Sequence, residues 1–159
     1  MGKFGAAVIL GLAVQAAPAL ATCPPDTVEL RSVSGQVMRF SVELADDEGE
    51  RSLGLMNRPK MATSTGMLFA YDQPHHAYFW MKNTLIPLDM VFADAAGQVL
   101  RVHSNAKPLD ETSIDGGAGV TYVLEINGGL AARLGLGEGA VMRSSVIDQT
   151  NAIWPCTAE

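Results

Sequence analysis

The sequence holds little that marks a familiar enzyme. It has two cysteines and three histidines among 159 residues, and no Gly-x-Ser-x-Gly elbow, His-Glu-x-x-His helix, Walker loop or Cys-x-x-Cys pair. A thiol nucleophile needs a neighbouring His or a second cysteine to lower its pKa, and Cys23 and Cys156 have neither nearby. Basic residues are also scarce, 11 Lys and Arg against 17 Asp and Glu. That balance argues against nucleic acid or anionic lipid as a partner. No repeat, charge block or long linker follows residue 22, so a single domain over 22–159 is expected. The glycines at 135, 137 and 139 follow a helix and precede a strand, the reverse of the order in a phosphate loop, and read as turn chemistry.

What is present begins with an apolar, alanine-rich leader. Phe4–Ala21 carries no charge, Lys3 supplies a lone positive charge before it, Pro18 breaks the run, and Ala19-Leu20-Ala21 offers a small-x-small cleavage site. Residues 1–21 therefore read as a signal peptide, which places the protein outside the cytoplasm, periplasmic or extracellular, with no membrane span after cleavage. An uncleaved span and lipidation at Cys23 are the alternatives. Without the leader the chain has 10 basic against 17 acidic side chains, about −7. In an oxidising compartment two cysteines near the two chain ends are expected to form a Cys23–Cys156 disulfide.

Alternation of apolar and polar residues predicts strands at 28–33, 36–44, 66–71, 77–81, 86–93, 98–104, 120–126 and 140–147. A short helix is expected after Asp47, with Glu50 at its capping-box position, and another from Asn127 through Arg133. Asp72-Gln73-Pro74 reads as a turn, and the polar, glycine-rich stretch 110–119 as a loop. The fold class that follows is mainly β, an antiparallel jelly-roll-like sandwich or barrel with one or two short helices.

Three motifs stand in order between residues 54 and 89: Gly54-Leu55-Met56-Asn57-Arg58, Gly66-Met67-Leu68-Phe69, and Phe79-Trp80-Met81-Lys82-Asn83-Thr84-Leu85-Ile86-Pro87-Leu88-Asp89. With the later Val123-Leu124-Glu125-Ile126-Asn127-Gly128-Gly129, they resemble an uncharacterised prokaryotic family catalogued as domain of unknown function 192. The resemblance spans residues 27–145. It implies a jelly-roll-like fold, often exported, and no established activity. Many relatives resemble Pro/Ala-Gly where this chain has Asn127-Gly128-Gly129, which leaves the capping of the following helix open.

Candidate site residues come from mixed-polarity faces. Strand alternation groups Ile86, Leu88, Met90 and Phe92 as core and sets Asp89 on the other face, with Glu125 on the corresponding face of its own strand. Trp80 offers a flat aromatic surface, while Lys82, Asn83 and Arg58 offer donors. Arg58, Trp80, Lys82, Asn83, Asp89 and Glu125 are thus the expected ligand-binding residues, on a module for a small, carbohydrate-like molecule. A structural salt bridge among Asp89, Glu125, Lys82 and Arg58 is the plain competitor. Two further readings are a carboxylate-dependent hydrolase using Asp89 and Glu125 and an accessory protein docking on another exported protein through an apolar patch. Eight methionines and three histidines suit soft metals, but their spacing does not gather them. No metal or other cofactor is expected, no nucleic-acid partner, and a monomer.

Overall fold

The computed structural model describes residues 23–157; the leader read over 1–21 lies outside them. Seven strands, β1 (Thr27–Arg31), β2 (Val37–Ala45), β3 (Thr65–Phe79), β4 (Leu88–Ala93), β5 (Val99–Ala106), β6 (Ile114–Asn127) and β7 (Val141–Arg143), form one sheet. Their order is β5-β4-β6-β3-β2-β1-β7. Two short helices, α1 (Glu48–Leu53) and α2 (Leu130–Arg133), complete the mainly β fold. The sheet curls into a half-barrel, and its ends approach each other through a Gln98–Val141 bridge and the hydrogen bond from Val99 N–H to the Ala140 carbonyl at 2.8 Å.

One pair departs from the antiparallel expectation. β2 and β3 run parallel, Ser41 beside Thr65 and Ala45 beside Phe69. Parallel neighbours need a crossover, and the segment carrying α1 supplies it. Asp47 caps α1 by accepting the Glu50 N–H at 2.8 Å, which satisfies one of the donors a helix start leaves open. Gly54 ends the helix with a positive φ of 49°.

Two other boundaries differ from the sequence reading. β3 continues through Asp72-Gln73-Pro74, where its register against β6 shifts between Ala70 and His75; irregularity of this kind is where a strand tolerates proline. Residues 114–119 belong to β6 and not to a loop. Gly117 and Gly119 take positive φ, 88° and 80°, within the stretch where the ladder with β3 is irregular, as bulged strands allow.

Two hydrophobic clusters lie on opposite faces of the central strands. The interior cluster includes Leu30, Phe40, Leu68, Val91, Leu124, Ile126 and Met142. The outer-face cluster includes Leu55, Met67, Phe69, Met81, Met90, Phe92 and Val123. β4 is buried at every position, as is β6 from Val120 to Ile126. Burial on both faces explains the near-continuous apolar runs in these two strands.

The chain ends are tied together. Cys23 and Cys156 form a disulfide, and the guanidinium groups of Arg31 and Arg143 contact the Trp154 ring, 4.5 and 4.1 Å from its centroid. The buried Glu29 carboxylate accepts from Arg39 Nε at 2.9 Å and Arg143 Nε at 2.7 Å. Since the bond links residues 133 apart, it restricts nearly the whole unfolded chain. Cys23→Ser with Cys156→Ser is expected to lower the stability by about 2–4 kcal/mol, read as a lower urea midpoint; an unchanged midpoint contradicts this. Among the described residues no helix is long and apolar enough to cross a membrane.

Candidate functional site

Strand register decides which of the charged residues can meet. Met90 pairs with Glu125 across β4 and β6, and Asp89 pairs with Ile126. Residues directly opposite on neighbouring strands share a face, so the Asp89 and Glu125 side chains leave the sheet on opposite sides. The two carboxylates form no acid–base pair, and the hydrolase built on that pair is not assembled here.

Asp89 is fully buried on the interior side. Its Oδ1 accepts the backbone N–H groups of Asn105 at 2.6 Å and Gly129 at 2.8 Å, and its Oδ2 that of Ala131 at 2.6 Å. Two of these donors open α2, so Asp89 caps that helix from a neighbouring strand. Asn127, expected as the cap, instead donates to the carbonyls of Met61 and Ala62 at 3.2 and 3.0 Å. α2 has no side-chain cap of its own.

Glu125 lies on the outer face, between Met67 of β3 and Met90 of β4. Only 4% of its surface is exposed, and no hydrogen bond or ion pair reaches its carboxyl group among the described residues. Burial alone pushes its pKa from the ordinary 4.5 up to about 8, because the apolar surroundings penalise the ionised form.

Above Glu125 opens a cleft of about 100 Å³. Leu53, Gly54, Leu55 and Met56 wall it on one side, Phe69, Tyr71, Phe79 and Thr84 on the others, with Arg51, Tyr78, Trp80 and Lys82 also in the lining. The cleft has this shape partly because residue 54 lacks a side chain: a Cβ there would lie 3.3 Å from Phe69 Cζ. The Phe69 and Phe79 rings meet edge to face at 5.2 Å, a favourable aromatic arrangement that stiffens the wall. The guanidinium of Arg51 sits 5.0 Å from the Tyr71 ring centroid and donates to the Ala70 carbonyl at 2.9 Å. Burial raises the Tyr71 pKa, with Arg51 opposing the shift and Glu125 adding to it. Lys82 Nζ lies 4.9 Å from the Trp80 ring centroid.

Of the residues expected at the site, Trp80, Lys82 and Glu125 come together in this cleft. Arg58 does not line it; its Nη2 donates to Glu43 Oε2 at 2.5 Å, and that guanidinium holds the Glu43 carboxyl below its ordinary range. Asn83 forms a turn with a φ of 53°, its carbonyl accepting the Asn57 N–H at 2.7 Å. The four-residue salt bridge among Asp89, Glu125, Lys82 and Arg58 is not formed. Arg51 and Tyr71 carry no signal for the site in the sequence, because only folding brings α1 over β3; Phe79, which opens the motif containing Trp80, joins them in the lining.

His75 and His76 point to different surroundings. The His75 ring contacts Tyr71 at 4.1 Å, while His76 stacks on Tyr78 and reaches Asp115 Oδ1 at 2.7 Å. A wider groove, about 310 Å³, runs along β5 and is lined by Arg101, His103 and Lys107 together with Asp110 and Asp115. Its charges largely offset one another, and Asp110 and Asp115 already accept backbone N–H groups of Thr112 and Gly117.

Comparison with known proteins places this geometry among relatives without an assigned reaction. The DUF192 family model, described as Uncharacterized ACR, matches residues 30–144. A crystal structure of a protein of unknown function from Novosphingobium aromaticivorans DSM 12444 is 41% identical, with a TM-score of 0.70 over 73% of this chain and 82% of that one. Another, from Sinorhizobium meliloti 1021 and described as a candidate transcription regulator, is 40% identical, with a TM-score of 0.72 over 76% of this chain and 94% of that one. No curated protein matches.

Proposed function

Because the chain belongs to the uncharacterised DUF192 family, we propose from its own geometry that it is an exported module binding a small, hydroxyl-bearing, carbohydrate-like molecule in the Glu125 cleft. The observation that carries this reading is a buried carboxyl group without a partner at the base of an open cleft. The carboxyl hydrogen-bonds to no described residue and opens onto the cleft, so a ligand hydroxyl can supply the bond that the protein does not. A carboxyl group can accept from a hydroxyl when ionised, and both donate and accept when protonated. Trp80, 46% exposed at the rim, offers a face on which the CH side of a polyol can pack.

The disulfide supports an oxidising, exported setting. The acidic balance of the chain gives no support to a nucleic-acid partner, and we read the module as a monomer. Docking on an exported protein is the second reading, since Leu53 and Tyr78 beside the same cleft are 58% and 62% exposed. NMR titration of residues 22–159 with glycerol and glucose separates the two. The binding module predicts saturable shifts centred on Tyr71, Phe79 and Trp80, and at least a tenfold weaker Kd in Glu125→Leu. Shifts that are absent, or unaffected by Glu125→Leu, contradict it.

A further inference from the structure

Two cations and one carboxyl group line the cleft, in a protein whose charge balance is otherwise acidic. The cations are differently placed for work. Arg51 is anchored, its Nη1 donating to the carbonyls of Asp46 and Ala70. Lys82 lies over Trp80 and has no carboxylate partner among the described residues. Its ammonium group retains hydrogen-bond donors for an incoming group.

The interior gives the complementary requirement. Glu125 is enclosed by Met67 and Met90 across the ladder, so an anionic group driven down to it would lose its hydration in an apolar setting with no cation beside it. A ligand hydroxyl meets it without that penalty. At about 100 Å³ the cleft is small but holds more than a single water molecule. It admits a small hydroxylated unit, and the larger part of a bigger ligand lies outside against Trp80.

We propose that the ligand is a small hydroxy-carboxylate, of the sugar-acid class, bound with a hydroxyl inward on Glu125 and its carboxylate at the mouth on Lys82. This rests on the small-ligand reading above and adds the ligand's charge and its direction in the cleft. The contact at the mouth is a charge-assisted hydrogen bond, stronger than its neutral counterpart and weakened by salt where it is exposed.

Glycerate and glycerol test it, since they share a three-carbon frame and differ in a carboxylate against a hydroxymethyl group. Both are titrated by NMR into residues 22–159 at pH 7 and low salt. Wild type is expected to bind glycerate at least tenfold more tightly than glycerol. Lys82→Met, first checked for an unchanged thermal midpoint, should bring the two ligands within about twofold of each other on that variant. Glucuronate against glucose should show the same pattern. Equal affinities in wild type, with binding still lost in Glu125→Leu, overturn the acid preference and leave the small-ligand reading standing. An acid preference that survives Lys82→Met overturns the placement of the carboxylate. Absence of binding by all four compounds overturns both.

Discussion

Asp89→Ala is expected to cost about 5 kcal/mol of folding stability, and Asp89→Asn about 3 kcal/mol. Hydrogen bonds to a charged group contribute about 1.5–3 kcal/mol each, and a buried donor left unpaired costs about 1–3 kcal/mol. Asp89 accepts three such bonds, from Asn105, Gly129 and Ala131, with no exposed surface of its own. Alanine removes every acceptor. Asparagine keeps one oxygen but points an amide N–H₂ at a backbone donor. Because two of the three donors open α2, the loss should appear first as fast hydrogen exchange over residues 129–134. Urea unfolding followed by fluorescence measures the total, and a cost under about 1 kcal/mol contradicts the capping role. Ligand binding at Glu125, on the other face of the sheet, should survive in the Asn variant at temperatures where it is folded.

The second large effect is a loss of stability on raising the pH. Glu125 has an ordinary pKa of 4.5 when the chain is unfolded and one of about 8 when folded. Its contribution is therefore fully present below pH 4.5. As the pH rises the unfolded chain ionises first, the folded state holds on to its proton, and the unfolded state gains. The loss accumulates between pH 4.5 and 8 and is complete above that. Between pH 5 and 8.5 the difference integrates to about 4 kcal/mol at 1.36 kcal/mol per unit. Glu29 and Glu43 are shifted the other way, held low by arginine partners against the opposing effect of burial, so their contributions change below this window. The raised pKa values of Tyr71 and Tyr122 start from 10 and lie above it. Glu125→Gln, with nothing to titrate, should flatten this fall. Parallel unfolding free energies for wild type and Glu125→Gln across this range would contradict a buried, unpartnered carboxyl.

The fold was legible where local chemistry decides it. The Asp47 cap with Glu50 three residues on predicts α1, and the bond expected between Cys23 and Cys156 is formed. It was less legible where proline and glycine sit inside long strands: Pro74 and the glycines at 116–119 read as breaks, yet pairing between β3 and β6 carries the strands through them. For the site, alternation separates the two faces within a strand but says nothing of which residue lies opposite on the next. A register placing Asp89 beside Ile126 therefore separated two carboxylates that the sequence had grouped. Alternation set Glu125 on a mixed-polarity face, and its burial comes from pairing with Met67 of β3 and Met90 of β4, which a single strand does not reveal. The walls around it come from α1, β3 and the 80–84 turn, and only their packing brings Arg51, Tyr71 and Phe79 to one place.

One group decides between these outcomes: the Glu125 carboxyl, which has no hydrogen-bond partner among the described residues and opens to a ligand through the cleft. Carbon-13 NMR of the glutamate side chains, assigned with Glu125→Gln, follows that carboxyl directly through a pH titration. The predicted result is a midpoint near 8 in the free protein that moves when glycerate is added. A midpoint near the ordinary 4.5 that ignores the ligand would contradict it.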